Sequence, residues 1–339
     1  MIILDYDRLE FHFPEVHKES RCTIEFQRTL RIPDDGRDYP LPPGLGAFPL
    51  RHLDDYAARL PDNWRRRGGV IAPMHQAEAL WINFTSDYPF AVKVATGKVC
   101  ALTGDTWVEH LNRDPQDYAV LPEQPWLDGY CVEEGVVRQF VAMPLGEGYT
   151  VEEQLTGAAV HGGLQFVAFP MKAERYEALM SEQTEFEADA MYAPRYAPES
   201  AMGLAPGGRM TQDIYDDPYG LDAWDQRHAS RCFVSLVNSA QWMTITGELP
   251  PTEPPSAQLY AEYGLPWFDY YGGDFQVVSG SEKLRRLKSI SEHAEPRGAA
   301  PLPGNDTVSV DHVIALGKSR GRRVRESVIG AGGIKDRYR

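Results

Sequence analysis

The chain has 339 residues, 42% of them apolar and 24% charged, which is enough for a sizeable core and excludes wholesale disorder. Its 26 prolines and 30 glycines exclude long helices as the dominant element. The net charge of −15 is uneven: residues 315–339 carry +6 and the rest −21, so the body repels nucleic acid and anionic membrane.

Other whole-chain features narrow the class further. The four cysteines (Cys22, Cys100, Cys131, Cys232) form no CxxC, which excludes zinc-ribbon and thioredoxin patterns. The opening "MIILDYDRLEFHF" has acids where a secretory signal has bases, and no apolar run approaches the roughly 20 residues of a membrane span. The expectation is a soluble cytoplasmic protein with reduced thiols, no metal and no cofactor.

In chain order, "CTIEFQRTLRI" (22–32) alternates as a half-buried strand does, and "PDDGRDYPLPPGLG" follows as a turn and a proline-stiffened segment. Residues 51–67 read as helix, broken or restarted at Pro61. "EALWINF" (78–84) reads as a strand, and "FAVKVATGKVCALTG" (90–104) as a hairpin with a Thr-Gly turn. Its Lys93 stands where a kinase strand lysine would, but the phosphate loop, HRD and DFG are missing, so an exposed strand lysine is expected. "VVRQFVAMPL" and "GGLQFVAFPMK" continue the strand pattern. Residues 181–201 read as an acidic loop or linker, strand character returns at Cys232, and 282–290 read as a short surface helix. From about Glu295 an extended basic tail is expected, lying on its own acidic body or on a membrane surface.

Two turns nearly repeat each other: "LPEQPWLDGY" (121–130) and "GLPWFDYYGGD" (264–274). Each follows about twenty residues after one of two matching stretches, "FAVKVATGKVCALTGD" (90–105) and "FVSLVNSAQWMTITGE" (233–248). The match reads either as a duplicated strand–turn–strand unit or as a chance likeness. Either way, Trp126 and Trp267 are expected to be buried at strand ends, with the aspartates holding the turns.

The expected fold is mainly β, a β-rich α+β protein of sandwich-like sheets with a few short helices. Its organisation is a half at 1–180, a linker at 181–201, a second half at 202–294 packed on the first, and a tail at 295–339.

The chemistry-bearing motifs are weak. "GEGYTVEEQLTG" (146–157) repels phosphate through its glutamates. It reads as a hairpin turn, or as a source of Glu152 or Glu153 for acid–base work beside Tyr149 and Gln154. "HGGLQF" (161–166) puts His161 and Gln165 beside two glycines, in a turn or where a ligand approaches the backbone closely. "QDIYDDPYGLD" (212–222) gathers Asp213, Asp216, Asp217 and Asp222 without EF-hand spacing. "MGLAPGGRM" (202–210) lacks the preceding strand of a dinucleotide loop. No G-x-S-x-G and no metal-binding His spacing occurs.

Three function classes fit. The first is a non-enzymatic binding or assembly protein taking a carbohydrate or peptide. Its ligand-binding candidates are Trp126, Asp128, Tyr130, Tyr149, His161, Gln165, Trp267 and Asp269, with Tyr270 and Tyr271 able to stack. The second is a carboxylate-dependent hydrolase, with carbohydrate as the substrate class in view, using Glu152 or Glu153 with Asp213 or Asp217. The third is peripheral membrane association through the basic tail.

Several stretches, among them "RTLRIPDDGRDYPLPPGLG", "PMHQAEALWINF", "PQDYAVLPEQPWLDGY", "RQFVAMPLGEGYTVEEQLTG" and "IYDDPYGLDAWD", together resemble an uncharacterised family of bacterial and fungal proteins. Members are often labelled "integral membrane protein" and have no assigned activity. The resemblance spans about Cys22 to Lys288 and implies no catalytic residues. The label conflicts with a sequence that has no spanning segment.

Overall fold

Along Arg21–Thr29 the apolar residues Cys22, Ile24 and Phe26 point to one side and are buried, while Thr23, Glu25 and Gln27 on the other side are half-exposed. This period-two pattern is the unit from which the fold is assembled. A computed structural model of the chain describes residues 1–182, 201–271, 275–298, 302–310, 312–317, 328–330 and 333–335.

Sixteen strands of the described residues form one mainly antiparallel sheet. Its main row runs Ile2–Asp5, Arg8–His12, Arg21–Thr29, Ala79–Thr85, Val136–Pro144, Ala201–Thr211, Ser230–Asn238, Leu164–Pro170, Phe90–Thr96 and Ala119–Leu121. The two ends of the row do not pair, so the sheet is not a closed barrel. It curls until Phe26 of the third strand meets Phe166 of the eighth, with ring centroids 5.5 Å apart. Phe90–Thr96 and Leu164–Pro170 are buried along their whole length, which explains their near-continuous apolar runs. Helices are short, and Asp62–Arg67 starts immediately after Pro61. Among the described residues no helix is long and apolar enough to cross a membrane.

One stretch takes a form that the sequence did not show, and two local expectations need correction. The glycine-rich stretch 202–210 lies within an eleven-residue strand, Ala201–Thr211, in the middle of the sheet. Its glycines let neighbours approach closely: a Cβ on Gly207 would lie 2.6 Å from Val141 Cγ2, and one on Gly208 2.3 Å from the Pro33 carbonyl oxygen. Pro206 sits opposite Phe140, next to a register shift in the ladder, where its missing N–H is tolerated.

Lys93 is not exposed but 1% accessible, because both faces of its strand are covered. Its ammonium donates to the Val108 carbonyl (3.0 Å), the His110 carbonyl (2.5 Å) and Asp117 Oδ2 (2.7 Å). All three of its donors are thereby used to hold the loop 106–118.

The segment 146–157 is not a hairpin turn. Thr150 caps a helix, Val151–Thr156, and Glu153 reaches back to complete a capping box.

The likeness between 90–105 and 233–248 ends after the strand. The first copy continues into the hairpin Phe90–Thr96/Val99–Cys100, the second into a helix, Trp242–Thr246. The two strands flank the same partner, Leu164–Pro170.

Strands from both sequence halves share one sheet: Ala201–Thr211 and Ser230–Asn238 lie side by side between first-half strands, the former paired with Val136–Pro144 and the latter with Leu164–Pro170 and Val70–Met74. The linker read at 181–201 lies mostly outside the described residues; within them, Ala173–Glu182 is helical and Ala201 opens a strand. The segment from 295 opens with a short 3-10 turn, Glu295–Arg297. It contains the strand Val313–Gly317, parallel to Trp267–Tyr271, and the pair Val328–Gly330 and Gly333–Lys335. Most of the basic cluster lies outside the described residues.

Candidate functional site

The two Pro-Trp turns, far apart in sequence, meet in space. The strand Trp126–Leu127 pairs with Ala79–Thr85, placing Trp126 opposite Asn83. The strand Trp267–Tyr271 runs beside Val313–Gly317, and Phe268 exchanges two backbone hydrogen bonds of 2.8 Å with Leu41. Across the gap the rings of Trp126 and Tyr270 make an edge-to-face contact, with centroids 4.7 Å apart. Between them lies a cavity of ≈ 190 Å³, walled also by Leu41, Phe268, Asp128, Asp213 and Asp269.

Two buried glutamines build the first wall. Gln124 donates from Nε2 to the carbonyls of Trp126 (3.0 Å) and Asp213 (3.2 Å), and its Oε1 accepts from the Tyr215 N–H (3.1 Å). Gln212 accepts from the Asp128 N–H (2.9 Å) and donates to the Trp126 carbonyl (3.1 Å). These side chains stand in for a backbone ladder between 126–128 and 212–215. Gly129 then lets the chain press against its neighbour, since a Cβ there would lie 1.9 Å from the Arg138 carbonyl oxygen.

Asp128 is 1% exposed. Its Oδ2 accepts from the Trp126 indole N–H at 2.9 Å, which orients the ring, while its Oδ1 is buried with no hydrogen-bond partner. Burial pushes its carboxyl up to about 7, and the indole N–H pulls weakly the other way. Burial also raises the Asp213 carboxyl, followed by repulsion from Asp269 and Glu134. Neither Asp213 nor Asp269 makes a side-chain hydrogen bond or ion pair among the described residues. Among the described residues no Lys, Arg or His walls the cavity. Among the described residues no group of three or more His, Cys, Asp or Glu is set to hold a metal ion.

Of the candidates read from sequence, Trp126, Asp128, Asp213, Asp269 and Tyr270 come together here. Trp126 is only half-buried because one side of it faces the cavity, whereas Trp267 is 3% exposed and packs near Tyr39 and Tyr260 as an anchor of its strand.

The other candidates lie elsewhere. Tyr130 is in the core, with its hydroxyl 3.0 Å from Thr96 Oγ1 and 3.1 Å from the Leu204 carbonyl. Gln165 donates to the Gly97 carbonyl at 2.7 Å. Tyr149 packs edge-on against His293. Glu152 accepts from the Gly162 N–H (2.7 Å) and the His161 N–H (3.3 Å), so it and His161 shape one loop. Burial raises the Glu152 carboxyl and lowers the His161 imidazole. Glu153 accepts from the Gly146 and Gly148 N–H groups, each at 2.8 Å. Asp217 takes four donors: Tyr118 Oη (2.6 Å), Trp224 Nε1 (2.9 Å), and the N–H groups of Tyr219 (2.8 Å) and Gly220 (3.1 Å). A carboxylate so fully engaged has no lone pair left for a substrate. The Tyr271 side chain lies outside the described residues.

Gln124, Gln212, Leu41 and Phe268 carried no functional signal in the sequence. The glutamines stand beside the candidates Trp126 and Asp213, which is the one hint available.

No family model, no curated protein and no solved structure matches the chain. What the site does therefore rests on these side chains alone.

Proposed function

We propose that the protein is a binding protein whose site is the cavity between the two Pro-Trp turns. The observation that carries this reading is the set of unengaged acceptors on its wall. Asp128 Oδ1 is buried without a partner, and Asp213 and Asp269 have none among the described residues. A structural corner has no use for them: the carboxylate of Asp217 shows how the same chain satisfies an aspartate that holds a turn. Leaving a buried acceptor unpaired costs about 1–3 kcal/mol, which a ligand donor would recover. The cavity is smaller than the roughly 300 Å³ at which drug-sized pockets begin, so the ligand is a small molecule or one side chain of a larger partner.

The test is the indole N–H signal of Trp126, assigned by Trp126→Phe, during titration with small amines, sugars and carboxylates. A binding protein of this kind shows selective movement of that signal. Movement of other indoles alone, at saturating ligand, sinks the assignment.

A second reading, hydrolysis, is favoured by one observation: Asp128 holds its proton up to about pH 7 beside the carboxylates of Asp213 and Asp269. An acid and a base around one cavity is what glycoside hydrolysis requires. It predicts turnover of aryl glycosides that Asp128→Asn and Asp213→Asn each abolish; no turnover by the unmodified protein rejects it for those substrates.

A further inference from the structure

Resting on the assignment of this cavity as the binding site, we infer that its ligand is an organic cation carrying an alkylammonium or guanidinium group. The first reason is a mismatch between donors and acceptors. Most side-chain N–H groups on the wall are already used: both of Gln124 on carbonyls, one of Gln212 on a carbonyl, and the Trp126 indole on Asp128. The acceptors are not, since Asp128 Oδ1, Asp213 and Asp269 remain. A sugar hydroxyl both donates and accepts, whereas ammonium and guanidinium only donate. The remaining donors on the wall are the second Gln212 N–H and the hydroxyls of Thr211 and Tyr270, outnumbered by the carboxyl oxygens of Asp128, Asp213 and Asp269, so the wall suits the latter better.

The second reason is charge. The carboxylates of Asp213 and Asp269 stand around the cavity beside the Asp128 carboxyl, with Glu134 close enough to repel Asp213, and no Lys, Arg or His lines it among the described residues. The third is the pair of aromatic rings. Trp126 and Tyr270 both line the cavity, edge-to-face with one another and with the indole oriented by Asp128, which puts aromatic surface beside the carboxyl groups for cation–π contact. The acidic cluster does not stand alone, because the unpartnered Oδ1 belongs to a side chain that is 1% exposed. A metal ion is the lesser fit, as no metal-ligating group of three is present among the described residues.

The experiment titrates the full chain with n-butylammonium, 1-butanol and methyl glucoside, reading the Trp126 indole signal. The expected result is saturable movement with n-butylammonium and none with 1-butanol at equal concentration. Asp269→Asn removes an exposed charge and should weaken n-butylammonium about fivefold, with Asp213→Asn at least as damaging. Backbone amide spectra confirm that each variant is folded. Equal response to 1-butanol, response to the glucoside alone, or unchanged affinity in both variants overturns the cation and leaves the site standing. No movement with any of the three overturns both.

Discussion

Replacing Asp128 by Asn should change how stability depends on pH, by an amount the structure sets. The folded carboxyl titrates at about 7 because it is buried, with one oxygen unpartnered. In the unfolded chain it returns to about 3.9. Between those values the folded state keeps a proton that the unfolded state has lost. The stability it confers is therefore complete below about pH 4 and is lost as pH rises to about 7. A difference of about 3 units at 1.36 kcal/mol per unit makes that loss about 4 kcal/mol. Asn carries no charge and removes this slope. Its oxygen can still accept from the Trp126 indole, but its amide donors face the place where Oδ1 has no partner, costing about 1–3 kcal/mol at every pH. The variant should be the less stable protein near pH 4 and should gain about 4 kcal/mol on the wild type by about pH 8. Urea unfolding of both proteins across this range measures the difference, and the slope with urea should be unchanged. A wild-type-minus-variant difference that stays flat with pH would refute the reasoning, because it would mean that Asp128 is not a desolvated carboxyl.

Binding of n-butylammonium should strengthen as pH rises through about 7, since the cation favours ionised Asp128, and Asp213, raised by burial and by Asp269 and Glu134, titrates in the same sense; calorimetry in buffers of different ionisation heat should detect proton release. Trp267→Ala should cost roughly 3–5 kcal/mol because the side chain is core, while Trp126→Ala should cost less and abolish n-butylammonium binding measured by calorimetry; equal losses in thermal or urea unfolding would contradict the distinction. Thr150→Ala should cost about 1 kcal/mol through loss of the helix cap without affecting ligand affinity, which unfolding and titration together check.

Period-two patterning by itself determined where several strands lie, among them Arg21–Thr29 and Ala79–Thr85, because alternation encodes which side chains leave water, while Leu164–Pro170 was marked instead by a near-continuous apolar run. It also marked the break at Pro61 and both Pro-Trp turns, because ring closure and backbone donors are local chemistry. The Thr150–Glu153 capping box was legible too, from its spacing, though the glycines on either side of it pointed to a turn. Ala201–Thr211 was not legible: four of its eleven residues are Gly or Pro, and only the strands on either side supply the reason for a strand there. Lys93 was misjudged for the same cause, since burial of its ammonium depends on carbonyls that a distant loop brings to it. The site illustrates the division best. Its aspartates and aromatics were visible as two separate turns, but sequence carries no distance between segments that far apart. Sheet register and the pairing of Phe268 with Leu41 set that distance, and they alone decided that Trp126 faces Tyr270 across a cavity while Trp267, its counterpart in sequence, is sealed in the core.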